Sequence, residues 1–302
     1  MVRQTLQVIE MRAKRLIIAA VLCFVCIGSA AAQGGSKGDG DSRTAAVREE
    51  KLTSKLMARE MPYRAVLPVG YEKNKKMRYA VVYLLHGLMG QYSNWTDKTR
   101  ISAYAAKHNF IIITPEGGSG WYSDSVTMPD DRYESYIIRE LIPEIDKKFR
   151  TVADREHRVI GGLSMGGYGA LKFALKYPDK FVLAGSFSGA LGAPSFTTKN
   201  AGTIGKTVDE VFGPADSAAR RENDIFRSIN EMSPEKVKDL PFLYVACGTQ
   251  DFLLQSNRDF MKAMFDKKAR YEYRERPGGH DWEFWDDQVR EFLMVAERSI
   301  KN

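Results

Sequence analysis

The stretch RVIGGLSMGGYGAL, residues 158–171, decides the fold. Its first half is apolar and β-branched, as in a buried strand, and its second half is rich in small residues, as in a closely packed helix. Ser164 stands between the two halves, with Gly162 and Gly166 two positions away on either side. This is the pattern G-x-S-x-G, in which a serine occupies a sharp strand-to-helix turn and the glycines remove side chains that would collide there. We predict that Ser164 is an exposed nucleophile on such a turn.

The five-residue motif is weak by itself, because the chain contains a second copy of it. Residues 34–38, GGSKG, fit the same pattern around Ser36. No strand pattern precedes that copy and no helix pattern follows it. The motif at Ser164 has the strand–turn–helix context that the chemistry requires, which favours a nucleophile there over a purely structural turn.

Strand and helix patterns alternate along most of the chain. Residues 79–85, YAVVYLL, and residues 110–115, FIIITP, are continuous apolar runs typical of strands buried on both faces. We therefore predict an α/β fold, a three-layer sandwich with a mostly parallel central sheet and helices on both faces. Residues 189–235 interrupt the alternation with a long polar segment, which we interpret as a small cap insertion, loopy in structure, beside the site.

The N-terminal segment has the pattern of a secretory signal peptide. Three basic residues, Arg12, Lys14 and Arg15, precede the apolar run LIIAAVLCFVCIGSA, and small residues follow it. The run is short for a membrane span, which disfavours an uncleaved anchor. We predict an exported protein, periplasmic or secreted, with this division of the chain: signal peptide 1–32, flexible Gly/Ser/Asp-rich linker 33–46 and α/β domain 47–302.

Composition excludes several classes of partner. The 302 residues carry a formal net charge of +7, and the basic residues are dispersed rather than gathered in a stripe, so we expect no nucleic-acid partner. We also expect no membrane association after signal cleavage. Cys23 and Cys26 fall in the predicted signal peptide, which leaves Cys247 alone. The remaining chain can form no internal disulfide, and Cys247 is predicted to be a buried small hydrophobe.

A serine nucleophile needs a base and an acid. In the α/β-hydrolase chain order the serine is followed by the acid and then by the histidine. Of the four histidines only His280 follows Ser164, so His280 is the predicted base. Asp251 closely follows the strand-like run PFLYVACG and is the predicted acid. Asp224 and Asp239 stay open as alternatives.

An oxyanion needs backbone donors. One is predicted to be the amide of Met165, directly after the nucleophile. The second is predicted to be the amide of Leu88, in the loop HGLMG that follows the buried strand at 79–85. His86 would organise this loop. The sequence contains no H-E-x-x-H motif and no Cys/His ligand cluster, so we predict neither a metal nor a cofactor.

Six segments together resemble the esterase family of α/β-hydrolases, which includes esterase D-like enzymes, bacterial feruloyl and tributyrin esterases and, more distantly, mycolyltransferases. The resemblance runs from about Leu52 to Phe292. It implies the triad Ser164, Asp251 and His280. The quoted segments are YLLHGLMGQYSNW, GWYSDS, YIIRELIPEID, GLSMGGYGAL, CGTQDFLL and GGHDWEFW. One departure is Glu116, where relatives commonly have an aspartate.

The resemblance implies an exported serine carboxylesterase that hydrolyses acyl or hydroxycinnamoyl (feruloyl-type) esters, as small molecules or linked to plant polysaccharides. Alternatives are a short-chain acyl or acetyl esterase, a siderophore or lactone esterase, an acyltransferase with the same triad, and a catalytically inactive binding module. The module is disfavoured because every triad residue is present. Five aromatic residues near the motifs are predicted to form a substrate surface: Trp95, Trp121, Tyr122, Phe252 and Trp282.

Overall fold

Eight strands form one sheet in the computed structural model, which describes residues 44–300. The strands are β1 (Ala46–Ser54), β2 (Arg59–Leu67), β3 (Ala80–Leu85), β4 (Phe110–Pro115), β5 (Arg158–Leu163), β6 (Leu183–Phe187), β7 (Phe242–Gly248) and β8 (Tyr271–Arg276). Their order across the sheet is β1-β2-β4-β3-β5-β6-β7-β8. The contacts of β2 with β1 and β4 are antiparallel, and all other neighbours are parallel. The mostly parallel sheet that the sequence predicts is confirmed.

Helices connect the strands. They are α1 (Asn94–Lys98), α2 (Ile101–Ala105), α3 (Tyr133–Ser135), a π-helical turn (Tyr136–Leu141), α4 (Ile142–Lys148), α5 (Met165–Lys176), a 3-10 turn (Ala193–Ser195), α6 (Thr198–Phe212), α7 (Ala218–Glu222), α8 (Ile225–Glu231), α9 (Pro234–Asp239), α10 (Leu254–Asp266) and α11 (Trp282–Ser299). Among these elements, none of the helices is both long and apolar enough to cross a membrane.

The sheet is covered on both faces. Alternate residues of β3 point into different cores: Val81 and Tyr83 belong to one apolar cluster, and Val82 and Leu84 belong to the other. Helix α5 packs into the first cluster and α11 into the second. Because apolar side chains cover both faces of the sheet, the central strands are continuous apolar runs. The helices on both faces complete the predicted sandwich.

The segment 189–235 is mostly helical, although its polar composition predicts loops. Its polar residues begin the helices α6 to α9. Their side chains accept hydrogen bonds from first-turn amides, and the four caps are Thr197, Ser217, Asp224 and Ser233. Serine, threonine and aspartate favour helix N-termini as strongly as turns, so the same composition fits both structures.

The N-terminal predictions lie mainly outside the described residues. The signal peptide at 1–32 and most of the linker at 33–46 belong to that part of the chain, and β1 begins at Ala46. Cys247 is buried in β7, and burial raises the pKa of its thiol to about 12. A thiol with so high a pKa is not a nucleophile at neutral pH.

Candidate active site

Ser164 lies at the sharp turn between β5 and α5. Its backbone has φ 52° and ψ −115°, a strained conformation for a residue with a side chain. Backbone hydrogen bonds on both sides hold it: the Ser164 amide donates to the Phe187 carbonyl at 2.9 Å, and the Ser164 carbonyl accepts the amides of Ala190 at 3.0 Å and Tyr168 at 3.1 Å. A Cβ at Gly162 would lie 2.5 Å from the backbone of Gly166. The glycines therefore let strand and helix meet at this turn.

His280 connects Ser164 to Asp251. Its Nε2 lies 3.0 Å from Ser164 Oγ, and its Nδ1 lies 2.9 Å from Asp251 Oδ2. The other carboxylate oxygen of Asp251 accepts the Leu253 amide at 2.8 Å. Because Asp251 accepts at Nδ1, the imidazole keeps its proton there and presents a free Nε2 lone pair to the serine hydroxyl.

The carboxylate of Asp251 is buried, whereas the imidazole of His280 is partly exposed. Burial raises the pKa of Asp251, but the hydrogen bonds from His280 and from the Leu253 amide outweigh burial and hold this pKa below its usual value. Asp251 is therefore an anion at neutral pH, as an acid that stabilises an imidazolium must be.

The two alternative acids do not contact His280. Asp224 caps α8, where its side chain accepts the amides of Phe226 and Arg227. Asp239 is exposed at the end of α9. The structure brings Ser164, His280 and Asp251 together and leaves these two aside.

Two backbone amides are available beside the serine. Met165 is the first residue of α5, so its N–H has no acceptor within the helix. Leu88 lines the same cavity as Ser164, in the loop that follows β3. In the described part of the chain, the Leu88 amide donates no hydrogen bond to a protein acceptor. Both amides predicted as oxyanion donors are thus free to bind a ligand.

Ser164 and His280 line an apolar cavity of about 280 Å³. The wall combines the loop after β3, the start of α11 and the segment 189–235. Its large side chains are Leu88, Met89, Trp121, Leu163, Phe196, Ile204, Phe252, Leu253, Trp282 and Trp285. A second cavity of about 530 Å³ beside the start of α11 is lined mainly by charged residues and contains neither Ser164 nor His280.

Three of the five predicted aromatic contacts lie in this wall, namely Trp121, Phe252 and Trp282. Phe252 is 71% exposed at the mouth, and its ring lies 4.8 Å from the His280 ring. The other two, Trp95 and Tyr122, are fully buried behind the wall. They do not reach the cavity because both point under the loop that follows β3.

Several wall residues were not predicted. Phe196 and Ile204 come from the segment 189–235, whose placement beside the site was predicted but whose individual contacts were not. Lys98 also lines the cavity and lies over the Trp282 ring at 5.2 Å. Within residues 44–300, no group of three or more His, Cys, Asp or Glu residues is arranged to hold a metal.

The chain is similar to known proteins both in sequence and in fold. The family model Esterase, described as "Putative esterase", matches residues 54–294. An acetyl esterase of Caldicellulosiruptor saccharolyticus is 32% identical over 257 residues, which cover 81% of this chain and 95% of the relative.

Two solved structures show the same similarity. A ferulic acid esterase superimposes with a TM-score of 0.74 at 29% identity, covering 85% of this chain and 99% of that one. The fluorophosphonate-binding serine hydrolase FphF of Staphylococcus aureus superimposes with a TM-score of 0.73 at 25% identity, covering 86% and 100%. The family match spans most of the chain, and the fold agrees with it. The chain therefore belongs to the esterase family of α/β-hydrolases, and it is a hydrolase of carboxylic esters.

Proposed function

We propose that the protein is a serine carboxylesterase in which Ser164 is the nucleophile, His280 the base and Asp251 the acid. The observation that carries this proposal is the continuous hydrogen-bonded relay from Asp251 through His280 to Ser164, which ends in an apolar cavity. A hydroxyl becomes an effective nucleophile when an adjacent base removes its proton as it attacks.

The reaction has two halves. Ser164 Oγ attacks the ester carbonyl while its proton passes to Nε2 of His280, and the amides of Leu88 and Met165 stabilise the oxyanion. The imidazolium then gives the proton to the leaving alcohol, which breaks the ester bond and leaves an acyl-serine. A water molecule, deprotonated by His280, attacks the acyl-serine and releases the carboxylic acid with the serine restored.

The cavity supports a hydroxycinnamoyl acyl group as the preferred substrate. Its volume of about 280 Å³ and its Trp121 and Phe196 side chains suit a flat aromatic acid. The rings of these two residues lie 6.3 Å apart, edge to face. The ferulic acid esterase similarity supports the same substrate. The carrier alcohol is then a small molecule or a sugar of a plant polysaccharide, and export, proposed from the signal-like pattern at 1–32, would bring enzyme and polysaccharide together.

A second candidate is a short-chain acyl esterase. The 32% identical acetyl esterase favours it. An acetyl group would leave most of the cavity empty or occupied by the alcohol part of the substrate. An acyltransferase would use the same triad, with an alcohol in place of the water that attacks the acyl-serine.

The substrate proposal is tested by initial rates on methyl ferulate, methyl butyrate and methyl acetate, which share one leaving group and differ only in the acyl group. We expect the highest kcat/KM on methyl ferulate, since only that acyl group fills the aromatic cavity. A preference for acetate with little ferulate turnover would instead establish the short-chain esterase. The same assay with a sugar alcohol added distinguishes hydrolysis from transfer by its products.

A further inference from the structure

Three successive carbonyls, from the last residue of β3 into the loop that follows it, each accept a hydrogen bond from a buried side chain. Trp95 Nε1 donates to the Leu85 carbonyl at 3.1 Å. Tyr122 OH donates to the His86 carbonyl at 3.0 Å. His86 Nδ1 lies 2.8 Å from the Gly87 carbonyl, which also accepts the Gly90 amide at 3.0 Å. Each of the three peptide groups between Leu85 and Leu88 is therefore held in place by a hydrogen bond from a side chain.

The last of these carbonyls belongs to the same peptide group as the Leu88 amide. A peptide group is planar and trans, so its C=O and N–H point in opposite directions. The donors that hold the Gly87 oxygen therefore also fix the direction of the Leu88 N–H, and Leu88 lines the same cavity as Ser164. His86 reaches this peptide with its own side chain.

The protonation of His86 at Nδ1 follows from its partners. Nδ1 faces a carbonyl oxygen, which only accepts, so Nδ1 carries a proton. On the other side of the ring, Nε2 lies 2.9 Å from the Gly117 amide and 3.2 Å from Glu116 Oε1. Whether Nε2 accepts from the amide or donates to the carboxylate, the hydrogen bond to Gly87 is kept.

Glu116 fixes the position of the imidazole. Its carboxylate accepts the amides of Gly118 at 2.7 Å and of Tyr92 at 3.1 Å, besides its contact with His86. Burial raises the pKa of Glu116, but His86 and these amides outweigh burial and hold the pKa below its usual value. The residue is thus an anion at neutral pH that ties the loops after β3 and β4 to one imidazole.

We propose that His86 is a positioning residue of the oxyanion hole: supported by Glu116, it orients the Gly87–Leu88 peptide so that the Leu88 amide meets the developing oxyanion. This inference rests on the proposed serine esterase mechanism. His86 is fully buried and touches no substrate, so its effect passes entirely through that peptide. A carboxylate–imidazole pair therefore supports the electrophilic side of the site, while Asp251 and His280 serve the nucleophilic side.

The test compares His86→Leu, which removes the donor, with His86→Asn, whose side-chain amide places an N–H near the former Nδ1. Removal of a whole oxyanion donor costs about 10²–10³ in kcat, so we expect misorientation in His86→Leu to cost roughly 10- to 100-fold. KM should change little, and His86→Asn should recover most of the lost rate. The control is His108→Leu, since His108 pairs with Glu297 away from the cavity and should keep full activity.

A second readout separates orientation from general damage. A trifluoromethyl ketone forms an oxyanion adduct with the serine, whereas the free acid product does not. We expect the inhibition constant of the ketone to rise in proportion to the loss of kcat/KM, with product inhibition unchanged. Folding is checked by circular dichroism. Glu116→Gln provides a milder variant if His86→Leu does not fold, and it should lower kcat while Glu297→Gln does not.

A folded His86→Leu with wild-type kcat and ketone inhibition would overturn the inference. So would a Glu116→Gln variant with wild-type kcat where His86→Leu fails to fold. Ser164→Ala is assayed beside them. If Ser164→Ala is inactive while the His86 variants are fully active, the positioning role fails alone; if Ser164→Ala stays active, the serine mechanism itself fails.

Discussion

The backbone of Gly166 lies directly against the Leu85 carbonyl. A Cβ atom at Gly166 would come within 2.4 Å of the Leu85 oxygen and 2.7 Å of the His86 oxygen. Both neighbours are backbone atoms, one at the end of β3 and one at the start of the loop that follows it. Backbone atoms cannot move aside as a flexible side chain can. The helix that follows Ser164 and the loop that carries the Leu88 amide are therefore in contact through this glycine.

Gly166→Ala should for this reason damage both stability and catalysis. Overpacking of a close contact costs about 1–3 kcal/mol and occasionally more. Here the strain falls on the loop that follows β3 and carries the Leu88 amide. The measurement is the urea midpoint together with kcat. Gly192→Ala is the matched control, because its Cβ would meet nothing closer than 3.7 Å. Equal stability and activity of the two variants would refute the close contact.

Asp251→Asn should abolish most activity while the fold persists. An asparagine can hold the imidazole in the wrong tautomer and cannot stabilise its cation, a change that costs about 10⁴ in kcat in a serine triad. Asp239→Asn removes a carboxylate in the same part of the sequence from an exposed helix end and should keep wild-type kcat. The two are compared in single-turnover assays; loss of activity in Asp239→Asn instead would reassign the acid.

A larger side chain in the segment 189–235 should narrow the cavity that contains Ser164. Ile204→Trp should fill the part of the cavity next to Phe196 and exclude an aromatic acyl group while still admitting acetyl. We expect kcat/KM on methyl ferulate to fall at least roughly 10-fold, a typical cost in an apolar pocket, with p-nitrophenyl acetate little changed. Ile204→Val is the control. An equal loss on both substrates would mean that Ile204 does not contact the acyl group.

A buried ion pair beneath the site gives a pH dependence of stability. Lys172 Nζ lies 2.8 Å from Glu134 Oε2 and 2.7 Å from the Tyr122 carbonyl. Burial raises the pKa of Glu134, but attraction and hydrogen bonding from Lys172, with further hydrogen bonds from Lys176 and Tyr177, outweigh burial and lower this pKa to about 2. Burial lowers the pKa of Lys172 despite the pair, so the ammonium depends on its partner.

Glu134→Gln should therefore destabilise the protein at pH 7, by about 3–5 kcal/mol for one partner of a buried pair. A carboxylate with a lowered pKa contributes stability above its unfolded pKa and loses this contribution as the pH falls toward the folded value. The difference in free energy of unfolding between wild type and Glu134→Gln should thus shrink as the pH falls from about 5 to about 3 in denaturant titrations. A difference that grows on acidification would contradict the assignment. Glu297→Gln, an exposed carboxylate, serves as the control.

Much of the architecture could be predicted from local patterns. The run at 158–171 predicts a strand, a turn and a helix, and these are β5, Ser164 and α5. Chain order and their positions after strands predict His280 and Asp251 as the base and the acid. Carboxyl ends of parallel strands meet at one edge of a sheet, so residues far apart in sequence come within hydrogen-bond distance there.

Other features depend on the direction in which a side chain points, which the spacing of residues along the sequence does not determine. Trp95 and Tyr122 lie close in sequence to site residues, yet their side chains lie under the loop that follows β3. There they donate hydrogen bonds to the Leu85 and His86 carbonyls. The caps at Thr197 and Asp224 belong to helices, although the same residue types also favour turns. Neither distinction can be made without knowing what packs against these side chains.

The central claim is that Ser164 is the nucleophile, and covalent labelling tests it most directly. The protein is treated with a fluorophosphonate, which phosphonylates an activated serine, and the modified peptide is identified by mass spectrometry. The control is Ser36→Ala, which removes the serine of the second G-x-S-x-G copy. We predict one adduct on Ser164, present in wild type and Ser36→Ala and lost, together with ester hydrolysis, in Ser164→Ala. Labelling of another serine, or full hydrolysis by Ser164→Ala, would contradict the account.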